Sequence, residues 1–540
     1  MKKRNVFVSA AAVALAAVVF VGGTFSYLAA KSDQVSNAFS ANTNYVSISE
    51  DEADYEIIPG TSQTKNPYVN VYTTVDSYVY LVVEDTTDGL VDYSINTDIW
   101  TLLASDEESG ISIYYCEVKA SDNEQSLNVL VNDEVSYAAD LENADMLEET
   151  TDENGNTTYA LKDGLELNFT AYVIQSDGFS SALDAVQYLT FDQEVNVVVK
   201  TALGYTAVYS ADNIDGTQGS YILAADVTLN AALTFAADTD SVLDLNGYTL
   251  TTAMSASAYD IVSNGSLTIA DSSEEGDGTI ELGSYGLQSY GALTVEGGTI
   301  SSTGTYGVYC YDAFTMNGGT IESKNNALTL ENEDAESVIN AGTISVTGTT
   351  AINVKYGSLV MNGGEISAES STGKGVTLYN DSTFEMNGGT ITCSGSKSYG
   401  VYAYNSSSFT LNDGSISAAY GMAADYCADA EMNGGTVTAA TYGVYLGAAT
   451  RGGTFTMNAG TITAGTYAFY TTSVKNYAAT ITMNGGTISA DGTYTVYMKG
   501  YSSSYADLVN FTWNGGTINP DGADSVYVAN GTFTDNVTSE

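Results

Sequence analysis

A six-residue phrase returns along the second half of this chain and constrains its fold more than any other feature. It reads Met316-Asn317-Gly318-Gly319-Thr320-Ile321, and it recurs at 386–391, 483–488 and, with Trp in the first position, 513–518. Looser copies begin at Val295, Ile339, Met361, Leu411, Met432 and Met457, so successive first residues are 21 to 30 positions apart. A period of this size is typical of a solenoid, in which each repeat buries its apolar face only against its neighbours.

Alternation within one repeat indicates how a coil folds. In the repeat at 399–418 it predicts an inward set, namely Val401, Phe409, Leu411, Ile416 and Ala418. Three short strands separated by sharp corners account for the repeat length. About 12 coils at a strand spacing of ~4.8 Å predict a rod of roughly 55–60 Å.

The Asn-Gly-Gly triplet is predicted to form one of these corners, because Gly accepts a positive φ at little cost. The structural corner residues in the three complete copies are Asn317, Gly318, Gly319, Asn387, Gly388, Gly389, Asn484, Gly485 and Gly486. Stacked asparagines at these corners, with those at 362 and 433, are expected to hydrogen-bond along the axis as in other asparagine ladders.

Tyrosine supplies the candidate ligand-contact site. One set recurs at the same place in the coil, each member following an inward apolar residue: Tyr309, Tyr402, Tyr445, Tyr470, Tyr497 and Tyr527. These side chains are predicted to point outward, where an aromatic ring with a polar hydroxyl suits a sugar. The alternative is that the row only stabilises the solenoid.

Acidic residues cluster in two places without an obvious catalytic pattern. Asp425, Asp429 and Glu431 form one cluster, and Glu331, Glu333, Asp334 and Glu336 form the other. Glycoside hydrolysis needs two nearby carboxylates, and a lyase needs a basic residue beside its acids. No basic partner on an adjacent coil is evident for either cluster, so we expect solvated loop acids and predict no catalytic residue.

Composition excludes several classes of function. Asp and Glu number 66 against 15 Lys and Arg, which disfavours nucleic acid because phosphate binding needs clustered cations. Histidine is absent, so histidine general bases and His-ligated zinc are excluded. No cofactor or metal site is predicted, and Ca²⁺ collected by carboxylates stays open as the alternative.

The four cysteines show neither metal-ligand spacing nor the density of a disulfide scaffold. They are Cys116, Cys310, Cys393 and Cys427. Buried free thiols are predicted, and pairing of Cys310 with Cys393 or Cys427 is left open.

The N-terminal segment has the pattern of an export signal. Lys2, Lys3 and Arg4 precede an apolar run at 6–21, and small residues follow. The run is short for a membrane-spanning helix, so a cleaved signal peptide is predicted at 1–30. We therefore expect a secreted protein of the extracellular matrix or cell surface, with no membrane partner after cleavage.

Residues 31–204, called the head below, are predicted to form a β-sandwich. Runs rich in β-branched and aromatic residues lie at 69–72, 78–83, 111–118, 127–131, 165–174 and 194–199, with turn-forming clusters between them. The stretch from Ala182 to Tyr188 is the one helical candidate.

The head resembles the TasA/camelysin family, secreted proteins processed by a SipW-type signal peptidase. The resemblance rests on the signal region at 22–40, on Ile57-Ile58-Pro59-Gly60 with Lys65-Asn66-Pro67, and on the run at 169–179. It implies a jelly-roll head whose segment at about 28–45 supplies a strand to the next subunit of a fibre. The alternative is that this segment completes its own sheet. The metalloprotease activity ascribed to camelysin relatives does not carry over, because the chain lacks histidine.

The opening of the repeat domain, at 221–229 and 244–250, resembles the first coils of bacterial right-handed parallel β-helix proteins of the pectate-lyase-like superfold. The chain is thus predicted to be all-β, with a signal peptide at 1–30, a jelly-roll or β-sandwich head at 31–204 and a right-handed parallel β-helix at 205–540.

We expect a secreted bacterial surface or extracellular-matrix structural protein, an adhesin or biofilm fibre component. Its β-helix would serve as a display and binding stalk for a glycan, cell-surface or matrix partner, and its head would self-associate. The alternative is a polysaccharide lyase or glycoside hydrolase on the β-helix.

Overall fold

The chain divides into two compact units, Met1–Tyr205 and Thr206–Glu540, and the predicted boundary lies one residue earlier. A computed structural model describes residues 44–51, 57–141, 146–151, 157–162, 165–217, 219–252, 258–283, 285–426, 428–447, 452–520 and 522–537. The all-β fold class is confirmed, with an N-terminal sheet region followed by a right-handed parallel β-solenoid of about 12 turns.

The N-terminal unit is built from antiparallel sheets. A four-stranded sheet has the order Leu167–Gln175, Ser77–Asp85, Ile111–Val118 and Thr101–Asp106. Two three-stranded sheets have the orders Tyr45–Ser49, Tyr68–Tyr72, Gln125–Asn128 and Ser62–Thr64, Glu134–Tyr137, Val91–Asp92. Leu147–Thr151 and Thr157–Leu161 form a separate two-stranded pair.

The strand Ser77–Asp85 is buried on both faces and organises the core of this unit. Alternate residues such as Val79 and Leu81 face a cluster that includes Val69 and Val135 from the smaller sheets. The intervening residues, such as Tyr80, face a second cluster that contains helical side chains. The four-stranded sheet therefore packs between sheets on one side and helices on the other.

Two helices cover the second face, and one corrects the sequence prediction. Helix α1, Ala182–Val186, falls within the predicted helical stretch. Helix α2, Gln193–Ala202, replaces the strand predicted at 194–199, which was wrong. Val195, Val198 and Val199 all lie in the core, and their i, i+3, i+4 spacing fits one face of a helix. Packing of that face overrides the β propensity of valine.

The solenoid winds through three parallel sheets. The threonine sheet contains the strands that follow the Asn-Gly-Gly corner: Val227–Leu229, Thr249–Thr252, Thr279–Leu282, Thr299–Ser302, Thr320–Ser323, Thr343–Val346, Glu365–Ala368, Thr390–Cys393, Thr461–Ala464, Thr487–Ala490, Thr517–Asn519, and the first parts of Ser415–Asp425 and Thr436–Leu446.

The tyrosine sheet comes next in each coil. It contains Leu233–Phe235, Ile261–Ser263, Leu287–Ser289, Tyr306–Cys310, Lys374–Leu378, Tyr399–Tyr404, Tyr467–Val474, Val496–Gly500, Val526–Ala529, the second parts of Ser415–Asp425 and Thr436–Leu446, and the first parts of Asn326–Ile339 and Thr350–Met361.

The methionine sheet closes the coil and leads into the next corner. It contains Thr206–Val208, Ser220–Leu223, Asp240–Asp244, Ser266–Ala270, Leu293–Val295, Phe314–Met316, Thr383–Met386, Ser408–Leu411, Asp429–Met432, Thr454–Met457, Ala479–Met483, Val509–Trp513, Thr532–Asp535, and the second parts of Asn326–Ile339 and Thr350–Met361.

The interior of the solenoid is one continuous apolar core along its axis. All five side chains predicted to point inward in the repeat at 399–418 are at most 5% exposed. Like residues meet from coil to coil, as in the Phe384–Phe409 ring stack with centroids 5.1 Å apart. Each coil therefore depends on its neighbours for burial of its apolar face.

The corners explain both glycines of the repeated triplet. Gly389 has φ +85°, and a Cβ there would lie 2.6 Å from the Met361 side chain. Gly388 has an ordinary φ, but a Cβ on it would lie 2.6 Å from the carbonyl oxygen of Asn362. The second glycine is required by backbone conformation and the first by close approach of the preceding coil.

An asparagine ladder runs along these corners and is longer than the five positions considered from sequence. Each side-chain amide donates to the Oδ1 of the preceding asparagine, at 2.7 to 3.2 Å, through Asn317, Asn340, Asn362, Asn387, Asn412, Asn433, Asn458, Asn484, Asn514 and Asn536. Asn317 ends the ladder by donating to Glu296 at 2.9 Å.

Three of the cysteines are buried free thiols, as predicted. Burial raises the pKa of Cys116 to about 12 and that of Cys393 to about 12. Cys310 is fully buried and is likewise free. Cys427 lies outside the described residues.

Candidate functional site: the tyrosine surface

Strand register places the six predicted tyrosines in one row of the tyrosine sheet. Four of them come from consecutive coils, because Tyr445 pairs with Tyr470, Tyr470 with Tyr497, and Tyr497 with Tyr527. Upstream, the same row continues through Ala423, Tyr402, Thr377, Asn353, Thr329 and Tyr309. The row is therefore continuous over its last four coils and interrupted before them.

A second row of tyrosines, which was not among the residues predicted from the sequence, lies beside the first. It contains Tyr306, Tyr399, Tyr420, Tyr442 and Tyr467, with Asn326, Thr350 and Lys374 in the intervening coils. Its members stand three positions before the first row, so the recurring Tyr-x-x-Tyr pattern was the available signal. We call the two rows together the tyrosine surface.

The rings of the tyrosine surface stack on one another along the axis. Tyr442 and Tyr470 have centroids 4.0 Å apart and planes 17° apart. Tyr467 and Tyr497 are 5.1 Å apart at 24°, and Tyr497 and Tyr527 are 4.9 Å apart at 18°. Because stacking occupies the ring faces, the rows offer mainly ring edges and hydroxyls to a partner.

The first tyrosine of the row is more deeply buried than the other five. Tyr309 is only 5% exposed, although the sequence predicted an outward side chain. Tyr259, Tyr306 and Tyr311 contact its ring. The remaining five are half-buried. Burial, followed by neighbouring charge, raises the pKa of Tyr402 and of Tyr445, so these phenols carry no charge at neutral pH.

Tyr309 takes part in a charged cluster that was not predicted from the sequence. Its hydroxyl donates to the carboxylate of Glu331 on the next coil. Lys355, one coil further, lies 3.1 Å from Glu331 and 4.7 Å from the Tyr309 ring centroid. For Glu331, the expectation that no basic residue on an adjacent coil meets the acidic clusters was wrong. The lysine is far away in sequence, and only strand register brings it near.

The electrostatics of this cluster favour an ionised carboxylate. Burial opposes ionisation of Glu331, but hydrogen bonds from Tyr309 and Lys355 outweigh it and lower the pKa of the carboxyl group. Burial and the hydrogen bond to Glu331 raise the pKa of Tyr309. A second lysine, Lys374, lies 5.5 Å from the Tyr402 ring centroid, and burial lowers its pKa.

The remaining predicted acids lie in different surroundings. Asp425 is buried and accepts a hydrogen bond from the Tyr402 hydroxyl at 3.4 Å. Asn458 donates to Glu431 at 2.8 Å, which ties this acid to the asparagine ladder. Glu333, Asp334 and Glu336 line a surface cleft with Asp381. Among the described residues, no three acidic or cysteine side chains are grouped so as to hold a metal ion.

The fold defines the class of this protein as a parallel β-solenoid repeat protein. In comparisons with known proteins, no family model, curated protein or solved structure matches the chain. Within the described part of the chain, none of the helices has the length and apolar character needed to span a membrane.

Proposed function

We propose that this is a secreted bacterial surface or extracellular-matrix structural protein whose β-solenoid binds a partner through the tyrosine surface. An adhesin and a biofilm fibre component are the two forms of this role. The secretion assignment rests on the signal-like segment at 1–30, and the fibre-forming role on the resemblance of the head to TasA/camelysin proteins.

The observation that carries the proposal is the alignment of the tyrosines. Tyrosines from four consecutive coils stand in one row, and a second row runs beside it. The apolar core of the solenoid is formed by inward residues, such as Val444 and Phe469, and the tyrosines of the first row are not part of it. Rows of half-buried aromatic residues on the outside of a soluble protein are typical of binding surfaces.

The stacked geometry specifies the contact that a partner makes. Ring faces are occupied by neighbouring rings, so a flat sugar-on-ring contact is available only where a row is interrupted. Phenol hydroxyls and ring edges remain along the rows. A polysaccharide, with its many hydroxyl groups, matches this repeated pattern of hydrogen-bonding groups.

A polysaccharide panel scored for both retention and cleavage tests the proposal. The full-length mature protein is expected to be retained without releasing sugar fragments. Tyr402→Phe with Tyr445→Phe keeps the rings and removes two hydroxyls, and we expect about tenfold weaker retention. Tyr402→Ala with Tyr445→Ala is expected to weaken it further.

The control is a pair of outward threonines on another sheet, Thr392→Ala with Thr438→Ala, which leaves the tyrosine surface intact. Equal retention of the wild type and all tyrosine variants, or no retention on any polysaccharide, would contradict the proposal.

The second candidate is a polysaccharide-active enzyme, and the Tyr309–Glu331–Lys355 cluster is the observation in its favour. This cluster places an acid, a base and a phenol on one side of the solenoid. Glu331 is paired and its pKa is lowered, so it is a poor proton donor at neutral pH. Release of fragments in the same panel, abolished by Glu331→Gln, would favour the enzyme over the adhesin.

A further inference from the structure

Within the four consecutive coils of the tyrosine surface, two phenol rings from neighbouring coils lie in direct contact. Tyr442 and Tyr470 stack with centroids 4.0 Å apart. Both side chains are half-buried, so each is partly exposed to solvent and partly packed against the protein. Burial, and after it the neighbouring phenol of Tyr470, raises the pKa of Tyr442 to about 12.

The two rings belong to successive coils and are 28 positions apart in sequence. Their strands are paired in parallel, with Tyr442 opposite Tyr467 and Tyr445 opposite Tyr470. The Tyr442–Tyr470 contact is thus diagonal across two neighbouring strands. Since both phenols extend outward from the same sheet, their hydroxyl ends lie at the same side of the stack.

We propose that Tyr442 and Tyr470 are a site of oxidative cross-linking, at which hydrogen peroxide and a haem peroxidase join the two rings into dityrosine. Each phenol gives up one electron and one proton to the peroxidase. The two phenoxyl radicals couple through ring carbons next to the hydroxyls, and the ring hydrogens at those carbons move to the oxygens. Hydrogen peroxide takes up the two electrons and two protons and becomes two molecules of water.

Proximity is the reason for choosing this pair over more exposed tyrosines. Two radicals held in contact couple without diffusing together, which is the advantage that intramolecular reactions have over bimolecular ones. Among the described residues, the two most exposed tyrosines are Tyr188 at 59% and Tyr501 at 58%. Their ring centroids lie 5.1 Å from Phe179 and 5.9 Å from Tyr505, respectively. Their solvent-facing rings favour coupling between molecules.

The product would add a covalent bond between coils that are otherwise joined by backbone hydrogen bonds and apolar packing. A solenoid is stabilised mainly by contacts between nearest neighbours. A cross-link from one coil to the next therefore restricts separation of coils at that point, as a disulfide restricts the unfolded chain.

The experiment treats the full chain at low concentration with hydrogen peroxide and a haem peroxidase. Dityrosine fluorescence measures total coupling, and peptide mapping by mass spectrometry locates it. We expect a linked pair of peptides containing Tyr442 and Tyr470, with a mass lower by two hydrogen atoms than the sum of the two. The linked protein is expected to remain a monomer on denaturing gels.

Two variants decide between stacking and exposure as the controlling factor. Tyr470→Phe preserves the ring stack but removes one phenol, and the linked peptide is expected to disappear. Tyr188→Phe removes the most exposed tyrosine among the described residues and is expected to leave that peptide unchanged. The proposal is overturned if Tyr470→Phe leaves the linked peptide, if the products are mainly intermolecular, or if the wild type yields no dityrosine.

Discussion

At the scale of single residues, the Tyr309–Glu331–Lys355 cluster shows how coil register creates a local charge environment. Glu331 is ionised because Tyr309 and Lys355 donate to it, which outweighs the effect of burial. A carboxyl group with a lowered pKa in the folded state contributes stability above its unfolded pKa. That contribution is lost as the pH falls through the folded pKa.

Replacing the cation tests this account. Lys355→Met is expected to lower the melting temperature at neutral pH, because Glu331 loses its ion pair. The difference from wild type is expected to shrink on acidification, as the pH falls through the lowered pKa of Glu331 and the carboxylate is protonated in both proteins. Thermal unfolding at several pH values measures it.

The matched control for this prediction is Lys324→Met, which removes the same charge from an exposed lysine of the solenoid. Lys324 makes no ion pair with the described residues. It therefore reports the general effect of losing a positive charge from a chain with a net charge of −51. Identical pH profiles for the two variants would contradict a specific role for Lys355.

At the scale of elements, the asparagine ladder adds side-chain hydrogen bonds between the corners of successive coils, beside the backbone hydrogen bonds that already join them. Asn412 donates to Asn387 at 2.8 Å and to Glu385 at 2.9 Å, and it accepts from Asn433 at 3.0 Å. Asn412→Ala is expected to cost about 1 kcal/mol of unfolding free energy. Asn412→Asp is expected to cost more at neutral pH, because the introduced carboxylate faces Glu385.

Urea unfolding of both variants measures the difference, with Ser417→Ala on an exposed strand position as the control. Protonation removes the repulsion between the introduced carboxylate and Glu385. The loss of unfolding free energy in Asn412→Asp is therefore expected to shrink on acidification. Equal stability of the two variants at neutral pH would show that the ladder is not sensitive to charge.

Sequence patterns at this scale predict the solenoid well and its surface less well. The period of the repeat and the inward set such as Phe409 and Ile416 follow from alternation, because each inward residue meets its equivalent one coil away. Helix α2 was missed because its valines favour strands until packing against the sheet is considered. The stacked faces of Tyr442 and Tyr470 and the approach of Lys355 depend on register across coils. Spacing alone does not define that register.

At the scale of the whole molecule, the fibre-forming version of the proposed role requires that copies of the chain associate through the head. The strand Tyr45–Ser49 lies at the edge of its described sheet, with Tyr68–Tyr72 as its one described neighbour in that sheet. The segment expected to donate a strand, about 28–45, lies almost wholly outside the described residues. An edge of this kind accepts an additional strand through backbone hydrogen bonds.

Electron microscopy of the mature protein therefore is expected to show filaments, and deletion of 28–45 is expected to abolish them. A variant carrying the residues of 28–45 in scrambled order keeps the length and composition and separates a specific strand from a general tether. We expect this variant to form no filaments, because register in a sheet depends on which side chains alternate between its faces. Circular dichroism should show unchanged β content in both variants, since the solenoid buries its core without this segment. Filaments that persist in either variant would mean that the chain assembles through another surface. The solenoid would then be the next candidate for that surface.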